Sequence, residues 1–321
     1  VSRYLNNRPG QMTEETRARI AAVIERTGYR PRAAARNLRS SRTNLIGVIL
    51  ADIANPFSSA MLEGLSASAA ARGCSLMTAI SGNEPAKEAE SLTRLIDAGA
   101  DGLVVNTCGG NDGAIAAAAG RLPVVLLDRD VADGGVDLVT SNNRELVAGL
   151  VDALASAGSE RLCLLAEASD DSPVRRERAE AFADELSRRG LAGEVVTLAD
   201  GGVEGVSRLD ETIRGYAGKK LGLIAVNGLV FLRLTEALAQ LGPSLPAGLK
   251  IATFDDYPWN HVLFGGVTTA AQDTLTIAER VVERLSERID VVTTTVGDAA
   301  KLAPKRIEVP GHIEHRASTS R

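Results

Sequence analysis

Six polar residues close apolar, strand-like runs: Asp52, Asn55, Asn106, Asp128, Asn227 and Asp255. Carboxylates and amides placed there can hydrogen-bond a polar ligand, because parallel α/β sheets bind ligands beyond the carboxyl ends of their strands. The same residue types also cap helices and close turns, and for any one of them alone that reading stands beside the first. A second group has a different chemistry. From Gly28 to Arg42 the chain reads GYRPRAAARNLRSSR, with five arginines and no acid. Catalytic signatures are absent: there is no P-loop, no Gly-x-Gly-x-x-Gly after a strand and no serine elbow. The three histidines are His261, His312 and His315, the last two close together near the terminus, so neither a metal nor a cofactor is expected.

The charge is divided along the chain. Residues 1–44 carry ten arginines against three glutamates, a net of +7, while the remaining 277 residues carry 26 bases against 38 acids, a net of −12. A basic head on an acidic body suits a polyanionic partner, above all a nucleic acid.

At 321 residues and 45% hydrophobic content, the chain can form two or three domains with buried cores. No apolar run reaches the ~18–20 residues needed to span a bilayer, and no signal-peptide core opens the chain. Cys74, Cys108 and Cys163 lie far apart in or beside apolar runs and read as buried free thiols in a reducing compartment. A cytoplasmic protein without a membrane partner is the expectation. The chain opens on Val1 instead of Met, as a fragment would.

The elements that must position these residues follow from periodicity. Residues 1–6 form a helix tail before Pro9-Gly10; Thr13 caps a second helix, with Glu14 and Glu15 in its first turn and Ile20, Val23 and Ile24 as its apolar stripe. Gly28 ends it, and Pro31 starts a short helix over 32–39 whose one large apolar residue is Leu38. Too short and too polar to stand alone, that helix orders only against a partner, or else is a solvated linker. From Leu45 onward, apolar strands alternate with amphipathic helices in two series, which means parallel sheets covered on both faces. Two series of this size exceed one doubly wound sheet, so two α/β lobes are expected. The first comprises about 45–140 plus 272–298, and the second about 141–271 plus 299–316. A late strand, helix and strand imply that the chain crosses between them more than once, leaving a hinged cleft.

Taken in order, these segments resemble the LacI family of bacterial transcription regulators. Val1-Ser2-Arg3-Tyr4-Leu5-Asn6 is similar to the end of the family's recognition helix. Thr13-Glu14-Glu15-Thr16-Arg17, Gly28-Tyr29-Arg30-Pro31 and Ala35-Arg36-Asn37-Leu38-Arg39 resemble its third helix and hinge helix. Asp52-Ile53-Ala54-Asn55-Pro56-Phe57, Phe254-Asp255-Asp256 and Val267-Thr268-Thr269 with Gln272 resemble its effector domain. Asn6 to Thr13, Val105-Asn106-Thr107 and Val226-Asn227-Gly228 look most like ketodeoxygluconate-type repressors. The chain departs from the pattern at Gly228, where many relatives have Asp, at Ala181, where Gly is usual, and at Gly265-Gly266, where Pro is usual. The first helix of the helix-turn-helix is absent, so the reading head is incomplete as given.

The resemblance implies a truncated all-α helix-turn-helix head over 1–44 with its hinge helix at about 32–39. Two Rossmann-like lobes of the periplasmic-binding-protein type, with crossover strands, follow over 45–321. It places Ser2, Arg3 and Asn6 at base edges and Thr13 and Thr16 at phosphates. Leu38 becomes a minor-groove wedge supported by Tyr29 and Arg32, with Arg39 reaching phosphate. A homodimer on a pseudo-palindromic double-stranded operator is implied. For a small effector it implies Asn55, Phe57, Asp128, Arg178, Asn227, Asp255 and Gln272, with Arg178 offering a donor fork to a carboxylate or vicinal hydroxyls. With aromatics at 3%, a sugar or sugar acid suits this set better than a nucleobase. The function implied is a repressor of carbohydrate or sugar-acid catabolism genes. Two other classes compete: a solute-binding protein of the same fold, against which the basic head argues, and an α/β sugar enzyme.

Overall fold

Short apolar runs such as LIGVIL (45–50), VVLL (124–127) and LGLIA (221–225) offer no polar face, so they are stable as strands only where both sides are covered. The computed structural model describes residues 13–27, 42–132, 135–167, 172–198, 203–216, 218–241, 248–294 and 302–320. The chain divides into two compact units, breaking between Thr43 and Asn44. In the first, α1 (Glu14–Thr27) begins at Thr13, whose hydroxyl accepts from the Thr16 N–H at 3.3 Å. No residue of α1 is fully buried, and Val23 is 43% exposed.

The second unit holds two six-stranded sheets. The first lobe runs β1 (Leu45–Leu50), α2 (Pro56–Ala71), β2 (Ser75–Ile80), α3 (Pro85–Asp97), β3 (Gly102–Val105), α4 (Asp112–Ala119), β4 (Val124–Leu127) and β5 (Asp137–Ser141). The chain then enters the second lobe: α5 (Asn143–Ser156), β6 (Arg161–Glu167), α6 (Pro173–Arg189), β7 (Ala192–Leu198), α7 (Val203–Gly215), β8 (Leu221–Ala225), α8 (Gly228–Leu241), β9 (Lys250–Phe254) and β10 (Thr268–Ala271). α9 (Thr274–Thr294) returns to pack on α2, β11 (Arg306–Val309) joins the first sheet, and β12 (His312–Glu314) ends in the second. The strand orders are β2-β1-β3-β4-β5-β11 and β7-β6-β8-β9-β10-β12; every pairing is parallel except β10 with β12.

The tail corrects the expected division. The sequence pattern puts all of 299–316 in the second lobe, but Arg306–Val309 pairs with β5 in the register Arg306↔Leu138, and of this stretch only β12 lies in the second sheet. A parallel neighbour to β5 was invisible because β5 itself, DLVTS, alternates too weakly to read as a strand. Three connections therefore join the lobes: β5 to α5, β10 to α9, and β11 to β12. They meet closely. The Gly311 N–H donates to Asn142 Oδ1 at 2.8 Å, and a Cβ at Gly311 would come within 2.5 Å of the Ala271 carbonyl oxygen. Only glycine fits where the three strands converge.

Candidate ligand-binding cleft

The strand ends of the two sheets border one narrow cleft, whose free volume of about 20 Å³ is on the scale of a single water site. Asp52, Asn55, Phe57, Ser58, Asn106, Asp128 and Arg129 come from the first lobe; Val174, Arg175, Arg178, Asn227 and Asp255 come from the second. Gln272 sits on the β10–α9 crossing. All seven residues expected to hold a ligand (Asn55, Phe57, Asp128, Arg178, Asn227, Asp255 and Gln272) line this cleft together.

Capping and cleft-lining turn out to be one role. Asn55 caps α2, its Oδ1 accepting from the Phe57 N–H at 3.1 Å. Asn227 Oδ1 accepts from the Val230 N–H at 2.8 Å at the start of α8. Each bond uses the carbonyl oxygen, fixing the side chain while leaving amide hydrogens for other acceptors. Arg178, 3% exposed, donates from Nε to Asn143 Oδ1 and from Nη1 to the Val226 carbonyl, both at 2.8 Å. Its guanidinium lies 3.8 Å above the Phe254 ring, so its plane is fixed from three directions. Asp255 accepts from Gln272 Nε2 at 2.5 Å and from the Gly228 N–H at 3.3 Å. Gln272 in turn accepts from the Ser141 hydroxyl at 2.6 Å, which ties two crossings to the second lobe.

Asp128 and Asp255 both have positive φ, 66° and 69°, at the ends of β4 and β9. Asp128 Oδ1 is buried and makes no hydrogen bond among the described residues. Burial pushes the Asp128 carboxyl above the ordinary carboxylate range, and the Arg178 and Arg129 guanidiniums only partly counter it.

Ser58, Arg129, Val174 and Arg175 also line the cleft without closing an apolar run or falling in a motif. Arg175 was findable, since it precedes Arg178 by three positions and so shares its helix face. Among the DNA-contact candidates, Thr13 and Thr16 hydrogen-bond each other at 2.9 Å at the start of α1. Ser2, Arg3, Asn6, Tyr29, Arg32, Leu38, Arg39 and the hinge helix lie outside the described residues. Of the cysteines expected to be buried, Cys163 is; Cys74 and Cys108 are part-exposed. Burial, with Glu88 alongside, still pushes the Cys108 thiol up to about 12. Among the described residues no cluster of three or more metal-ligating side chains occurs, and no helix is long and apolar enough to cross a membrane.

A family model described as the periplasmic binding protein domain matches residues 46–298. Over 320 residues the chain is 33% identical to the HTH-type transcriptional regulator PtxS of Pseudomonas plecoglossicida, covering 99% of this chain and 91% of that one. It is 31% identical to the HTH-type transcriptional regulator KdgR of Bacillus subtilis, covering 99% and 93%. The chain belongs to the LacI family of transcriptional regulators. It is a regulator, not an enzyme. The fold matches the crystal structure of the Cra transcriptional dual regulator from Pseudomonas putida in complex with fructose 1-phosphate, with a TM-score of 0.74 and 21% identity over 85% of this chain and 99% of that one.

Two departures from the LacI-family pattern now have physical causes. A Cβ at Gly228 would lie 2.5 Å from Tyr257 Cε2, so the Tyr257 ring fills the space that an Asp there would need. Gly265 and Gly266 have φ of 73° and 109°, which proline, fixed near −65°, cannot adopt. The change there alters the backbone path as well as the packing.

Proposed function

We propose that this LacI-family regulator is a repressor of carbohydrate or sugar-acid catabolism genes, acting in the cytoplasm as a homodimer on a pseudo-palindromic operator. A sugar or sugar acid held between the lobes switches it. One observation carries this reading: seven residues scattered from Asn55 to Gln272 line one cleft between two lobes joined by three connections. Fixed guanidinium, carboxylate and amide groups around little aromatic surface suit a polyhydroxylated ligand. A ligand touching both lobes favours their closed arrangement by no more than its difference in affinity for closed and open. Closure turns one lobe against the other about the crossings, and in a dimer that changes the spacing of whatever precedes Asn44. The basic segment 1–44 supplies the contact to DNA, with Ser2, Arg3 and Asn6 reading bases and Leu38 wedging a base step.

The test is calorimetric titration of a panel of sugars and sugar acids into the protein, with Asp255→Ala and Arg178→Ala as controls. At least one ligand should bind the parent, and each substitution should weaken it by tenfold or more. Unchanged affinity in both variants would show that the ligand sits elsewhere.

A further inference from the structure

Of the guanidiniums bordering the cleft, Arg178 is committed to neutral acceptors and an aromatic face, and Arg129 donates from Nη1 to the Thr107 carbonyl at 3.0 Å. Arg175 differs. It is paired with Glu167, a carboxylate at the end of β6 whose side chain is only 9% exposed. Glu167 has two other partners in reach: Arg233 Nη1 at 3.4 Å and Asn227 Nδ2 at 3.5 Å. That Arg233 nitrogen is buried and, among the described residues, makes no hydrogen bond of good geometry.

A carboxylate offered to Arg175 would therefore not leave Glu167 stranded. Breaking a buried ion pair is costly mainly because it orphans one charge; here a second cation and an amide already face the carboxylate that would be released. A neutral hydroxyl gains little from displacing Glu167, because it would exchange a charge-assisted bond for an ordinary one. The arrangement penalises neutral ligands at this position and tolerates anionic ones.

We propose that Arg175 is the specificity-determining residue for an acidic ligand: it exchanges Glu167 for the carboxylate of a polyhydroxy acid, while Glu167 passes to Arg233 and Asn227. This rests on the cleft being the effector site. It assigns the carboxylate to Arg175 and leaves Arg178 to hydroxyls.

The experiment measures the affinity of the full chain for a panel of aldonates, each beside its parent aldose, in the parent protein and in Arg175→Gln and Glu167→Gln. An acid should bind the parent at least tenfold tighter than its aldose. Arg175→Gln should erase that preference, weakening the acid by tenfold or more and the aldose by less than threefold. Glu167→Gln should move the acid the other way, to several-fold tighter binding, because the competing carboxylate is gone. A merely structural role for the pair predicts weaker binding in both variants, and that result would overturn the proposal. So would an acid preference that survives Arg175→Gln. A parent that binds aldoses but no acid overturns the Arg175 assignment and leaves the cleft reading standing. A parent that binds neither class removes both.

Discussion

The two lobes repeat one strand order, and their site residues fall at matching places. Asn106 follows β3 as Asn227 follows β8; Asp128 follows β4 as Asp255 follows β9, each with φ near 65–70°. The surroundings differ. Asp255 already accepts from Gln272 and from the Gly228 N–H, whereas Asp128 Oδ1 is buried and makes no hydrogen bond among the described residues. The position after the Asn is Thr107 in the first lobe, its hydroxyl donating to Glu88 at 2.8 Å, and Gly228 under a tyrosine ring in the second. One backbone plan can thus present an occupied carboxylate on one side of a cleft and an unoccupied one on the other. Such asymmetry fits a site in which the second lobe is preorganised and the first completes it on closure.

The largest expected effect separates the lobes by how their carboxylate anchors are buried. Asp137, fully buried in the first lobe, pairs with Arg284 and Arg288 and accepts from the Lys305 N–H at 2.7 Å, which binds β5, α9 and β11 together. Asp256 in the second lobe holds Arg316 through two bonds of 2.8 Å but is part-exposed. Asp137→Ala should cost about 3–5 kcal/mol in urea unfolding, because Arg284, 3% exposed, loses its buried partner. Asp256→Ala should cost about 1–2 kcal/mol. Equal costs would mean that the first lobe has no special dependence on its crossing strands.

Gly228→Ala should cost about 1–3 kcal/mol by overpacking against Tyr257. Adding Tyr257→Leu should restore at least half of that loss in the melting temperature. Failure to restore it would mean that the ring is not what excludes a side chain there.

Much of this was legible in sequence. Apolar runs announced the buried strands, and the residues closing them announced the cleft, because a strand end in a parallel sheet is both a turn and a ligand-facing edge. Arg178 and Gln272 entered through resemblance alone. What stayed hidden depended on partners distant in sequence. β11 pairs with β5 across some 170 residues (Arg306↔Leu138), and the Gly228 departure is explained by a ring 29 positions later. Periodicity reports which side of an element is buried, not what buries it.

The two cleft aspartates should differ again in their response to substitution and pH. Asp255→Asn should cost about 1 kcal/mol, since one of its two acceptor oxygens becomes a donor facing a donor. Asp128→Asn should fall within about 0.5 kcal/mol of the parent, since the amide stands in for a carboxyl that burial already favours in neutral form. The pH signs are opposite for Asp128 and Asp256. With its folded-state value raised, Asp128 binds a proton more tightly when folded, so its contribution is present at low pH and fades as pH rises through that folded value. Burial alone would raise Asp256 too, but the Arg316 guanidinium outweighs it and holds the carboxyl below the ordinary range. Its contribution is present above the ordinary value and is lost as pH falls through the folded one. Unfolding measured from pH 4 to 8 should lose the alkaline-going decline in Asp128→Asn and keep it in Asp256→Asn.

The smallest effect on stability belongs to the contact that joins the lobes. Arg306 on β11 reaches Asp130 of the first lobe and Glu177 of α6 in the second, each at 3.3 Å, with the Arg306 side chain 41% exposed. Asp130 lies two residues from Asp128, and Glu177 adjoins Arg178, so this bridge crosses the cleft beside its lining on both sides. Exposed pairs of this kind contribute roughly 0–1 kcal/mol and are screened by salt. Arg306→Ala should therefore change the unfolding free energy by less than about 1 kcal/mol. Its effect on shape should be larger in proportion, because a lobe-to-lobe equilibrium separated by a few kcal/mol responds to small differences between closed and open. Solution scattering without ligand should give a larger radius of gyration for the variant than for the parent at low salt, with the two converging as salt rises. Identical radii at every salt concentration would show that the three crossings and the Ser141–Gln272–Asp255 chain fix the lobe angle without help from Arg306.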